Sequence, residues 1–166
     1  MYAFTMNEFT FQLVADDTYA IMGYSGHAAE VEIPAMHGGK PVTVLFDNLF
    51  AGHTELEKIT IPDSVTNLGE FLFDGCINLK HIDLPQSITA IWPYAFVRSG
   101  IEEIVLPDSM TTVAPFTFKD CKSLKKVICG AGLTKIGAYA FQGCDALTEL
   151  QQGPNVEISP KAFAAK

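Results

Sequence analysis

The sequence predicts a solenoid: one domain of stacked coils, mostly β, in which each coil supplies short parallel strands and about one turn of helix. Three observations carry that prediction. A phenylalanine recurs at positions 50, 73, 96, 118, 141 and 163, always 22 or 23 residues apart. A branched-apolar pattern ending in Pro or Gly recurs in step with it, and a second apolar pair follows at a fixed offset in each unit. Self-similarity at a period of 20 to 50 residues is the signature of such arrays, because one unit cannot bury its own apolar face and must stack on its neighbours.

Taken in chain order, Phe9 to Val14 and Thr18 to Met22 flank Ala15-Asp16-Asp17 and read as a hairpin, so residues 1–27 are expected to cap the N-terminal end. Residues 28–48 read as an irregular first repeat. It contains Val31-Glu32-Ile33-Pro34 and then Gly38-Gly39-Lys40, which mark an insertion. Residues 49–163 hold about five repeats, and 164–166 form a tail.

Within the repeats, Leu56-x-x-Ile59-x-Ile61-Pro62, Leu79-x-x-Ile82-x-Leu84-Pro85 and Ile101-x-x-Ile104-x-Leu106-Pro107 alternate inward and outward as half-buried strands do. Leu124-x-x-Val127-x-Cys129-Gly130 and Leu147-x-x-Leu150-x-Gln152-Gly153 are looser copies with Gly in place of Pro, a weaker strand-ending signal. Pro62-Asp63-Ser64, Pro85-Gln86-Ser87 and Pro107-Asp108-Ser109 are turn chemistry, with side chains able to bond nearby backbone. A second extended segment bears Thr66, Thr89, Thr111 and Thr134 at one slot, with apolar pairs such as Val65 and Leu68 around it. One helical turn is expected about each phenylalanine. Pro93, Pro115 and Pro160 stand three residues before it, where a missing N–H costs nothing, and Asp47 and Glu70 fill the same slot at the positive end of a helix dipole. Gly52, Gly75 and Gly143 follow it by two residues and suit a left-handed closing residue.

The string Ile82-Asp83-Leu84-Pro85-Gln86-Ser87-Ile88-Thr89-Ala90-Ile91, then Ala95-Phe96, and the Gly-Cys or Asp-Cys pairs at 75–76, 120–121 and 143–144 before the next Leu, resemble the BspA-like leucine-rich repeats of bacterial proteins. The resemblance implies a leucine-rich-repeat solenoid, a right-handed superhelix with a parallel sheet along one face. It also implies an extracellular or cell-surface protein that mediates adhesion or other protein binding, an implication carried by fold alone.

Composition excludes several function classes. A net charge of −8 leaves no basic patch for nucleic acid or anionic membrane, Lys125-Lys126 being the densest cluster, and no run of about 18 apolar residues exists to insert in a membrane. The opening Met1-Tyr2-Ala3-Phe4 lacks the basic and apolar regions of a secretion signal. No phosphate-binding Gly-Lys loop, His-Glu-x-x-His or Gly-x-Ser-x-Gly is present, and His27, His37, His53 and His81 have no triad or metal spacing. The expectation is therefore of surface histidines, no catalytic, cofactor-binding or metal-binding residues, and a chain that is not an enzyme.

The repeat register points to a protein-binding face. Outward positions of the main strands form rows: Glu57, Lys80, Glu102, Lys125 and Thr148; Lys58, His81, Glu103, Lys126 and Glu149; and Thr60, Asp83, Val105, Ile128 and Gln151. In a stacked parallel sheet equivalent residues of these rows lie about 4.8 Å apart. They read either as cross-strand charge pairs that hold register and solubility, or as a mixed-charge recognition stripe around exposed Val105 and Ile128. The partner is expected to be an unidentified protein; the alternative is self-association through the open last turn. Cys76, Cys121 and Cys144 share one slot and read as small, buried, inert thiols, with Cys129 at a strand end. Phe71, Tyr94, Phe116 and Tyr139, two residues before the repeated phenylalanine, read as core.

Overall fold

The computed structural model describes residues 8–165; the first seven residues, assigned to the cap from sequence, and Lys166 lie outside the described residues. Strands β1 (Phe9–Val14) and β2 (Thr18–Tyr24) form an antiparallel hairpin about a 3-10 turn at Ala15–Asp17. Next come β3 (Glu30–Glu32), β4 (Met36–His37) and β5 (Lys40–Leu45). The insertion is a second, tight hairpin: β4 pairs β5 antiparallel across Gly38 and Gly39, whose φ values of 55° and 79° are those of a two-residue turn matched to strand twist. His37 at its tip stacks on Phe11 at 3.8 Å and meets the edge of Tyr19, so this histidine is half-buried, not the surface group its sequence context suggests.

The regular coils carry β6 (Lys58–Thr60), β7 (Asn67–Leu68), β8 (Ala90–Ile91), β9 (Glu103–Val105), β10 (Thr112–Val113), β11 (Lys126–Ile128), β12 (Lys135–Ile136), β13 (Glu149–Gln151) and β14 (Glu157–Ile158). All of these pair in parallel with the equivalent strand of an adjacent coil. Two ladders result, one from the three-residue main strands and one from the two-residue strands of the Thr slot. In that slot each amide of Thr66, Thr89 and Thr134 donates to the carbonyl of the Thr one coil earlier, at 2.8 to 2.9 Å.

Each ladder is interrupted once along the stack. The main ladder runs β3–β6 and then β9–β11–β13, and the other runs β2–β5–β7–β8 and then β10–β12–β14. Both are interrupted at the coil that drops one residue before Ile101. There Gly100 passes so close to the previous coil that a Cβ would lie 2.0 Å from the Ile77 carbonyl oxygen, so only glycine fits the shortened path. At Lys80 one main-chain bond survives, from Glu102 N–H at 3.0 Å. Where Gly130 replaces Pro, the strand still ends at Ile128. Gly130 is needed because a side chain there would meet the Pro107 carbonyl oxygen at 2.4 Å.

The expected helical turn is absent; among the described residues the only helical segment is the 3-10 turn at Ala15–Asp17. Around each phenylalanine the chain makes β-turns instead. Pro93 and Pro115 occupy the second position of turns closed by Ala95 N–H to Trp92 O and Thr117 N–H to Ala114 O. The next residue, Tyr94 or Phe116, takes φ of 62° or 61°, as a turn of type II requires at its third position. Proline's fixed φ suits that turn as well as it suits a helix start, which is why the sequence signal was ambiguous. Asp47 serves no helix dipole either; its Oδ1 accepts the Glu70 amide at 2.8 Å. Gly52, Gly75 and Gly143 do take φ of 72° to 77°, while Arg98 and Asp120 hold the same left-handed slot in the other coils. Arg98 is tied there by a bidentate pair to Asp74, at 2.9 and 2.7 Å.

The core is one unbroken apolar cluster from Ile21 to Ala162. Phe50, Phe73, Phe96, Phe118 and Phe141 lie within it as a stack with ring centroids 5.2 to 5.8 Å apart, and Phe163 stacks on Phe141 at 5.4 Å. Ser87 and Ser109 contribute to stacking, not to local turns: Ser87 Oγ donates to Val65 O at 2.6 Å and Ser109 Oγ to Ile88 O at 2.5 Å. Phe96→Ala should cost about 3–5 kcal/mol by urea denaturation, because it opens a cavity in the middle of the stack. Phe163→Ala should cost under about 1 kcal/mol, since that ring is 51% exposed.

Candidate protein-binding face

The main strands alternate as their sequence requires: Ile59, Ile104 and Val127 face inward and are buried, and their neighbours face out. Lys58, Thr60, His81, Asp83, Glu103, Val105, Glu149 and Gln151 are exposed. Lys126 and Ile128 are half-buried instead, because β11 is the central strand of its ladder and is flanked by both β9 and β13. Val105, at 50% exposure, is thus the apolar residue this face leaves most open, and half-buried Ile128 lies beside it on the paired strand.

Charges across the face pair between coils. Lys125 Nζ donates to Glu102 Oε2 at 3.0 Å, and Lys126 Nζ lies 3.9 Å from Glu103 and 3.6 Å from Glu149. The bond from Lys125 holds the Glu102 carboxyl below its ordinary pKa. Lys80 breaks the alternation: its ammonium turns back to the Ile77 carbonyl at 2.9 Å. Exposed pairs of this kind are worth no more than about 1 kcal/mol each, so they fix register and leave the face chemically mixed. Where the ladder is interrupted, His81, Asp83 and Leu84 on one side and Glu103 and Val105 on the other line a shallow cleft of about 210 Å³.

Two other faces differ from expectation. Phe71, Tyr94, Phe116 and Tyr139 are not core but a second, outer ladder. Their positive φ values turn the half-buried rings outward, where they stack 4.8 to 5.0 Å apart within 3° to 9° of parallel. Lys161 fills the slot after Tyr139 and places its ammonium 5.9 Å from that ring centroid. Trp92 is 50% exposed and Phe46 is also exposed, in a slot that holds Gly69, Ala114 and Gly137 in other coils. Sequence reasoning missed this pair, although large aromatics at a small-residue slot were a legible signal.

The cysteines are all free. Each ladder thiol donates to a phenylalanine carbonyl one coil earlier: Cys76 to Phe50 at 3.1 Å, Cys121 to Phe96 at 2.9 Å and Cys144 to Phe118 at 2.9 Å. Burial pushes Cys76 up to about 12 and Cys129 up to about 11, and the bond with Cys121 and burial raise Cys144 as well. Thiolate, the nucleophile, is therefore scarce at neutral pH. Titration with a thiol reagent should find four groups after denaturation and slow, incomplete reaction in the native state, with Cys76 and Cys121 last.

Of the histidines, His27 and His81 are exposed, while His37 and His53 are half-buried. His27 and His53 converge on Glu55, a grouping the linear spacing did not reveal. No helix among the described residues is long and apolar enough to cross a membrane.

A β-solenoid of short parallel strands with a phenylalanine spine defines a leucine-rich-repeat protein. The profile of the BspA type Leucine rich repeat region matches residues 43–166 in six copies, and the chain belongs to that family. It is similar to the leucine-rich repeat protein of T. pallidum, TpLRR, at 27% identity and a TM-score of 0.76, over 92% of this chain and 84% of that one. A leucine rich cell surface protein from Faecalibacterium prausnitzii is similar at 25% identity and a TM-score of 0.62, over 90% of this chain and 54% of its own. A leucine-rich repeat protein from Bacteroides ovatus shares the fold at 24% identity and a TM-score of 0.68, over 98% of this chain and 51% of its own. No curated protein matches the chain.

Proposed function

We propose that this chain is a non-catalytic protein-binding module, of the kind used in adhesion, and that its contact surface is the outer face of the main strands. The observation that carries this reading is the exposed Val105 beside the cleft at the ladder break, ringed by Asp83, Glu103 and His81. An apolar centre with a polar rim is the usual anatomy of a recognition patch, and a solenoid holds it rigid. The similarity to a cell surface protein of F. prausnitzii agrees with a surface location. A second reading is self-association, supported by the exposed ring of Phe163.

The test compares proteins captured from extracellular-matrix extract by the immobilised chain and by its Val105→Asp variant. A substitution at an exposed site should leave the thermal midpoint unchanged and reduce specific capture at least about tenfold. Capture that survives Val105→Asp but is lost in Trp92→Asp would move the contact to the other face. A concentration-dependent increase in mass that Phe163→Glu abolishes, with no capture, would favour self-association.

A further inference from the structure

We propose that His27, His53 and Glu55 form a binding site for a single zinc ion, clipping the segment after the N-terminal hairpin to the first regular coil. The two imidazoles present the same atom, Nδ1, to one carboxylate oxygen: His27 at 3.0 Å and His53 at 3.1 Å from Glu55 Oε1. All three donor atoms lie within 4.8 Å of one another. With zinc bonds of about 2.0–2.1 Å, the edges of a tetrahedral site are about 3.3 Å, so the ligand triangle closes with small side-chain rotations.

The repeat itself supplies an independent reason to single out this place. In three other coils the slot of His53 holds a cysteine whose thiol turns inward to a phenylalanine carbonyl. In the first coil that slot carries an imidazole directed at an acid, and Glu55 stands where other coils have Asn78, Gly100 or Ser123. Both departures fall in the one coil that His27 reaches. His53 is half-buried, with its ring 5.4 Å from Tyr24 and 6.0 Å from Phe50, so one ligand is pre-positioned. His27, 85% exposed and stacked loosely on His53 at 5.9 Å, is the arm that closes.

Two nitrogens and one carboxylate oxygen are a borderline-soft donor set, which suits zinc and not the all-oxygen preference of calcium or magnesium. Without metal, each Nδ1–H donates to Glu55. With metal, each neutral imidazole carries its proton on Nε2 and gives the Nδ1 lone pair to zinc, while Glu55 binds as the carboxylate and water takes the fourth position. No oxidation or net proton release from the imidazoles is needed.

The test is calorimetric titration of the untagged chain with zinc chloride at about pH 7.5 under a non-thiol reductant, with thermal midpoints measured alongside. One equivalent of zinc should bind and raise the midpoint. His27→Ala and Glu55→Gln, both near the surface, should each weaken binding at least about tenfold while leaving the metal-free midpoint unchanged. In nitrogen-detected spectra zinc should move the Nδ1 resonances of His27 and His53 and leave His37 and His81 in place. Absence of saturable binding up to about 1 mM zinc, or binding that both substitutions leave intact, would overturn the assignment, the latter by pointing to the thiols.

Discussion

The structure depends on one repeated contact, the hydrogen bond from each spine phenylalanine to the coil that follows. Phe50 N–H donates to Leu72 O, Phe73 to Ala95, Phe96 to Thr117, Phe118 to Ala140 and Phe141 to Ala162, at 2.8 to 3.0 Å. Each acceptor immediately precedes the next phenylalanine, so the bond that joins two coils also sets the offset at which their rings stack. Unsatisfied buried amides are costly, and here every coil satisfies those of its neighbour. The cysteine ladder completes the same scheme from the carbonyl side, which explains why a small donor recurs at that slot.

Because the coils are held by this spine, the outer faces are free to vary. The main-strand face carries charge pairs between coils, another face carries an aromatic ladder on left-handed residues, and the first coil replaces a thiol with an imidazole. The phenylalanine stack runs through all of these coils unbroken, including the first, where the His53 ring meets Phe50 edge-on at 6.0 Å. The interruption of both ladders at the shortened coil has the same basis: backbone pairing is lost on the flanks, yet Phe73, Phe96 and Phe118 remain stacked at 5.2 and 5.4 Å through it. A cleft can therefore open on the surface without dividing the core.

What the sequence disclosed follows from the same division. Period, strand positions, inward residues and the phenylalanine spine were legible because burial imposes them coil after coil. Turn type was not legible, since Pro before a residue such as Tyr94 fits both a helix start and a type II turn, and only the φ of the following residue separates them. That miss placed Phe71, Tyr94, Phe116 and Tyr139 in the core, when left-handed backbone points them out. On the candidate face, the exposure of Val105 was legible and the partial burial of Ile128 was not, because strand pairing on both sides of β11 lies beyond the reach of a local pattern. The convergence of His27, His53 and Glu55 joins residues from two different segments and left no linear spacing to read.

The central claim is that the coils fold as one body through the phenylalanine spine. Native-state hydrogen exchange at the amides of Phe73, Phe96 and Phe118 tests it most directly. The account predicts that all three exchange only through global unfolding, with opening free energies equal to within about 1 kcal/mol. Amides that open one coil at a time, with Phe96 beside the ladder break exchanging far more readily than its neighbours, would contradict it.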